Sequence, residues 1–331
     1  MAPTNAQRFE WVEQVVQSQT GNHTITHITS DDSGNIYIAG IYTGSILIDP
    51  ILIVSTVFNE NLFFAKLSQS RQLIWVQTIR SPTQSFPGVT SLNNLKVDKQ
   101  GNVFGVVTLQ GPVIFGSINV SFTAWTNVFF RINSNGSASF LTQLATLADN
   151  NTKADLILQN DSIVFVSHNI GQGASSAGVI KRYSKTGVLL STWNGPTKSG
   201  SLGYLFDQIS FGSNNRLHVS YTIFTGTGTL SGITRTGLFT YGVVTYNPSG
   251  TISSNRLVFE SNNSNESQFI PFYLVSDTLD NIYLACKFNG PLFSTNFNSS
   301  STPENSKFIL CKYRIDSGII WANYVSSINV S

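Results

Sequence analysis

Few side chains in this sequence have the type and spacing that chemistry requires. Two acidic residues, Asp155 and Asp207, fall on segments expected to be neighbouring inner strands. Two carboxyl groups about 5 to 10 Å apart across a sugar are the machinery of a glycoside hydrolase. The competing reading is that both are solvated or paired with protein donors. His23 and His27 are four residues apart. That spacing would converge on a metal in a helix, but on a strand it separates the rings by about 13 Å along one face. His168 and His218 have no Cys or carboxylate neighbour at ligand spacing. Asp31, Asp32, Asp98, Asp277 and Asp280 gather in turn sequences without the spacing of a calcium loop, and Asp opens tight turns for its own reasons. The Gly-x-Gly pairs at 171–173 and 226–228 do not open a helix that could hold phosphate, and no Gly-x-Ser-x-Gly elbow occurs. No catalytic residue, metal or cofactor is assigned on these grounds.

The remaining candidates emerge only when the chain is aligned on itself. One signature is an apolar strand, an Asp-x-x-Gly-Asn turn and an alternating apolar strand: HITSDDSGNIYIAG at 27–40 and LKVDKQGNVFGVV at 95–107. Weaker copies start at 156, 209 and 274. Gly and Asn accept the positive φ of a tight hairpin, so each copy predicts two antiparallel strands, A and B. A second signature pairs a marker with another nine residues on: Lys66 with Trp75, Arg131 with Phe140, Arg182 with Ser191, Thr245 with Ser254 and Lys312 with Trp321. The turn residues between them make the flanks strands C and D. Each unit is an A–B–C–D meander, and no helical period competes.

Five such units, at about 23–80, 88–146, 152–196, 204–260 and 268–328, predict an all-β, five-bladed β-propeller of four-stranded antiparallel blades in one domain. RFEWVEQVV at 8–16 copies the D pattern, which makes the 8–17 segment a candidate closing strand. Six D-like strands for five A–B–C sets leave six blades, one degenerate, as the alternative. Ile28, Leu95, Leu156, Ile209 and Leu274 share a register position on strand A and are expected to form a buried ring. One residue earlier, His27, Asn94, Asp155, Gln208 and Tyr273 share another. Inner strands surround the channel of a propeller, so these five could bind a small polar ligand; bonding between blades or to channel water is the alternative. Trp125 stands outside the D-strand series, in the B–C connector of the second unit, and is the rim candidate for stacking on a sugar or a partner.

The run NLFFAKLSQSRQLIW at 61–75, with the Asp-x-x-Gly-Asn turns before and after it, resembles the SBBP-type β-propeller repeats of bacterial surface and secreted proteins. The turn half is similar to NHL-type propellers. The third unit departs, because NIGQGASSAG at 169–178 replaces a longer connector. Those repeats are architectural, so the resemblance implies a fold and carries over no catalytic residue.

Composition narrows the partners. The chain is 41% hydrophobic but only 11% charged, against about 25% in a typical globular protein. Its 19 basic and 17 acidic residues leave a net charge of +2 without a like-charge run, which argues against nucleic acid and anionic membrane. No apolar stretch is long enough to span a bilayer and no signal peptide is visible at the start, so the chain reads as soluble, with its compartment open. Nine Asn-x-Ser/Thr sequons matter only if it is exported. Cys286 and Cys311 fall on neighbouring strands and read as two buried thiols, with one bridge as the alternative. Long B–C connectors (41–60, 108–126, 222–240, 287–306) on a rigid scaffold suggest a recognition rim. The sequence thus points to a non-enzymatic binding or scaffolding module with a glycan or protein partner, or a structural component of a surface or particle. The alternative is a polysaccharide-active hydrolase.

Overall fold

A computed structural model describes residues 14–55, 59–83, 88–147, 153–171, 173–234, 239–261, 269–288, 292–294, 297–299 and 307–326. These residues are all-β and propeller-like, and no helix among them is long and apolar enough to cross a membrane. The inner strands A are His23–Ser30, Gly88–Val97, Ala154–Gln159, Gly203–Phe211 and Phe269–Ser276. Each pairs antiparallel with its B strand, B with C and C with D, in every unit. The nine-residue offset is a hairpin register: Lys66 faces Trp75, Arg182 faces Ser191, Thr245 faces Ser254 and Lys312 faces Trp321. In the second unit a bulge slips it by one, so Arg131 faces Ser139 and Phe140 faces Phe130.

The Asp-x-x-Gly-Asn turn is a cage built around one carboxylate. Asp31 Oδ1 accepts the backbone N–H groups of Ser33 and Asn35, and Oδ2 accepts the Asn35 amide and the Tyr37 hydroxyl. Asp277 repeats the pattern with Leu279, Asn281 and Tyr283, and Asp98 with Gln100 and Asn102. The aspartates are therefore turn residues, as their spacing implied.

Neighbouring units stack face to face. Separate apolar clusters join units 1 and 2, 2 and 3, 3 and 4, and 4 and 5. Each D-strand tryptophan inside the stack is roofed by the next unit's C–D turn. Trp75 donates its indole N–H to the Ser134 carbonyl 3.1 Å away, and Trp193 lies on Gly250, where a Cβ would come within 2.3 Å of the indole nitrogen. At the equivalent turn of unit 1 the left-handed residue is Arg71 (φ 67°).

The fifth face differs. The outer face of unit 1 packs Ile38, Tyr42, Phe63 and Ala65 against Val16 and the connector residues Ile46 and Ile48, and the cluster holds no described residue of unit 5. Trp321 is accordingly 37% exposed, against 8% for Trp75 and 6% for Trp193. The expected ring of apolar residues is corrected at one member: Leu95, Leu156, Ile209 and Leu274 are buried, but Ile28 is 73% exposed. No described residue of another unit joins a cluster on its side of strand A, so it lacks the partner that buries the other four.

The connectors are not free loops. In unit 2 strands B and C run on as a hairpin, Val103–Phe115 and Ile118–Ile132, and its tip pairs with the D strand of unit 1 at Ile79 and Arg80. In unit 5 the connector strand Leu292–Ser294 pairs with the D strand of unit 4 at Glu260. In unit 1 the connector hairpin, Ser45–Ile48 and Ile51–Val54, pairs with Gln17–Thr20. Gln17 thus meets the connector of unit 1 much as Glu260 meets that of unit 5. The rest of the 8–17 segment, including Trp11, lies outside the described residues up to residue 13.

Candidate functional site

The inner strands surround a cavity of about 420 Å³. His27, Asn94, Asp155, Gln208 and Tyr273 all line it, so the structure brings together the five residues aligned by register. The local device is a β-bulge. In four of the five A strands the register breaks just before or at this position, between Ile25 and His27, Leu92 and Asn94, Phe206 and Ile209, and Pro271 and Tyr273. A bulge sets two residues against one on the partner strand and re-aims a side chain, here toward the centre.

Asp155 is buried and fully engaged. Its Oδ1 accepts the Asn94 side-chain amide and the Leu156 N–H, and its Oδ2 accepts the Ile209 N–H at 2.9 Å. The carboxylate therefore ties the A strands of units 2, 3 and 4 into one wall. Burial raises its pKa, opposed by these donors and by the nearby Lys96 charge. Asp207 does not line the cavity; Lys153 reaches one of its oxygens and the Thr222 hydroxyl the other, at 2.6 Å. The Asp155–Asp207 pair of the hydrolase alternative does not converge on this cavity: one carboxylate holds backbone together and the other neutralises a lysine.

His27 is half-buried with Nδ1 3.0 Å from the Thr26 hydroxyl. Desolvation, then the charge of Lys96, lowers its pKa, with the Asn93 backbone opposing. Tyr273 is 69% exposed at the lip formed by unit 5, opposite Ile28 on the lip formed by unit 1. The cavity is open-sided there, for the same reason that Ile28 is exposed.

Lys96 was absent from the sequence candidates, yet it lines the cavity, and no hydrogen bond or ion pair joins its ammonium to the described residues. The signal existed: Lys96 stands two residues after Asn94, on the same face of an alternating strand. Elsewhere the candidates disperse. Trp125 sits within the long C strand of unit 2, half-buried and facing Leu147 across the pair, so it is neither on a loop nor on the cavity wall. His168 is buried between units 2 and 3. His218 is buried with Nδ1 2.9 Å from the Thr245 hydroxyl and Nε2 3.5 Å from Asp280. Asp280 also accepts the Ser213 N–H and hydroxyl, locking the A–B turns of units 4 and 5 together.

No protein-family model matches the sequence, and no curated protein matches it. Among solved structures the chain is similar to a polysaccharide lyase, the PL25 ulvan lyase, at 9% identity and a TM-score of 0.50, over 93% of this chain and 85% of that one. A protein of unknown function from Dyadobacter fermentans DSM 18053 aligns at 11% identity and a TM-score of 0.44, over 95% of this chain and 98% of that one. The PL25 ulvan lyase bound to GlcA(1-4)Rha3S aligns at 10% and 0.43, over 95% and 82%. At 9% identity the likeness to the first of these concerns fold alone, and it agrees with an all-β, propeller-like chain.

Proposed function

We propose that the chain is a five-bladed β-propeller acting as a non-enzymatic binding module that takes a carbohydrate in the cavity between its inner strands. The observation that carries this reading is the wall itself. Five strands converge a cation, an imidazole, amides, hydroxyls and an exposed tyrosine ring on one concave, open-sided space, while Asp155, the only carboxylate among the described residues that line it, is spent on an amide and two backbone N–H groups. Few polar groups placed on a rigid concave wall are what small-ligand sites consist of, and about 300–1,000 Å³ is their usual size. An aromatic ring at the lip suits the apolar face of a sugar. That a polysaccharide lyase carries a similar fold fits this ligand class without assigning lyase chemistry to the chain.

The test is a glycan and polysaccharide binding screen on the purified chain, with released sugars analysed after incubation. Retention without release, weakened by Tyr273→Ala and unchanged by Trp125→Ala, is the expected result. Release of sugar products would replace the binding module with an enzyme. Failure to retain any glycan would sink the reading and favour a protein partner or a structural role.

A further inference from the structure

Building on the carbohydrate reading of the cavity, we infer that it selects an acidic sugar, a pyranose bearing one carboxylate, with Lys96 as the anion-binding group and Tyr273 as the stacking face.

The inference starts from how this chain treats its other lysines. Lys66 lies 3.9 Å from Asp31, and Lys153 is paired with Asp207. Lys185 is paired with Asp98 and Asp161, at 2.7 and 3.3 Å. Lys181 donates to the Leu144 carbonyl, and Lys198 to those of Ala174 and Ser176. A half-buried ammonium loses part of its hydration and needs donors' partners in return, which these five have. Lys312, half-buried too, has the Tyr283 ring 5.5 Å from its ammonium. Lys96 is also half-buried, yet no described residue hydrogen-bonds or ion-pairs with its ammonium. The nearest candidate partner, Asp155, has Oδ1 shared by Asn94 and Leu156 and Oδ2 taken by Ile209. The cavity therefore presents an ammonium whose nearest carboxylate, Asp155, is already bonded to three other donors.

Among the described residues the wall carries one lysine and no arginine, and a single positive charge matches a monoanion better than a phosphate dianion. Around Lys96 stand donors and acceptors suited to ring hydroxyls, including Thr29 on the neighbouring inner strand and His27. Tyr273 and Ile28 flank the open side, where a chain of sugars could enter laterally without threading. A carboxylate reaching Lys96 while its ring lies on Tyr273 uses all of these groups at once.

The experiment is calorimetric titration with three probes: tetragalacturonate, its fully methyl-esterified form and a sulfated galactan oligomer. A charge-assisted hydrogen bond in a partly desolvated site predicts that tetragalacturonate binds about ten- to a hundredfold more tightly than its ester. Lys96→Met is expected to bring the acid down to the level of the ester, and Lys96→Arg to keep the preference. Circular dichroism confirms that each variant folds; if Lys96→Met does not, Lys96→Gln and the salt dependence of wild-type binding carry the test. Equal affinity for acid and ester, or a preference that survives Lys96→Met or Lys96→Gln, overturns the charge selectivity while leaving the carbohydrate reading standing. Preference for the sulfated oligomer overturns the carboxylate assignment. Binding of none of the three, together with an empty glycan screen, removes the carbohydrate reading itself.

Discussion

Acidification should destabilise this protein through one buried histidine. Val164, Val166 and His168 share one face of the third unit's B strand, and both valines are packed against Phe104, Val106 and Phe129 of unit 2. His168 is buried in that interface, and neither ring nitrogen has a well-formed hydrogen bond to the described residues. Burial, then the Lys181 charge, pushes its pKa down to about 4 from 6.5, with the Asn169 backbone opposing. The unfolded chain binds a proton near 6.5 and the folded one only near 4, so the unfolded state holds more protons between them. Stability from the neutral ring is fully present above about pH 6.5 and is lost as pH falls toward 4; the gap is worth about 3 kcal/mol.

His168→Leu removes the titration without emptying the site, since the side chains are similar in size. Urea unfolding followed by tryptophan fluorescence, at pH 7.5 and pH 4.5, compares the variant with wild type. Wild type should lose about 2 to 3 kcal/mol more than the variant over that interval. At pH 7.5 the variant should be at least as stable, because no hydrogen bond is lost and apolar surface is buried in place of an unpaired polar ring. His27 and His218 titrate downward in both proteins and cancel in the difference. Equal pH dependence in the two proteins, or a variant clearly weaker at pH 7.5, would refute the reasoning.

Three further outcomes follow from the same geometry. Gly250→Ala places a Cβ within 2.3 Å of the Trp193 ring at φ +89°, whereas Gly173→Ala at φ +50° meets nothing within 4 Å. Chemical denaturation should show about 3 kcal/mol lost in the first, from backbone strain and displaced indole, and only about 1 in the second. The Asn281 side chain, with backbone and Tyr283 donors, holds the Asp277 carboxyl down at about 2, so its contribution to stability is present above about pH 4 and lost as pH falls through 2. Asp277→Asn should flatten the acid limb of the thermal midpoint between pH 5 and 2, and an unchanged limb would count against the turn cage. Burial pushes the Cys311 thiol up to about 12 and Cys286 well above its ordinary value, and both are free and buried. Neither should react with a thiol reagent at pH 8 until the protein unfolds; rapid labelling of the native state would show that the interface between units 4 and 5 opens.

The sequence alone determined what is local. The carboxylate cages close within six residues of Asp31 and Asp277, and the C–D hairpins fix their register through a turn of a few residues, so both recur as readable spacing. Aligning those repeats was enough to gather His27, Asn94, Asp155, Gln208 and Tyr273, because residues at one register of repeated strands share one environment. Tertiary structure decided everything that depends on what stands opposite. Ile28 and Leu274 hold the same register, yet one is exposed and one buried, since a neighbouring unit packs on only one of them. Asp155 is spent on Ile209, which lies 54 residues away in the chain, and the Lys96 ammonium is left without a direct bond to any described residue. The connectors of units 2 and 5 read as loops in the sequence because their pairing partners belong to adjacent units, as Phe115 pairs with Ile79. Periodicity reports which face a side chain takes; only the packed neighbour determines whether that face is core, wall or opening.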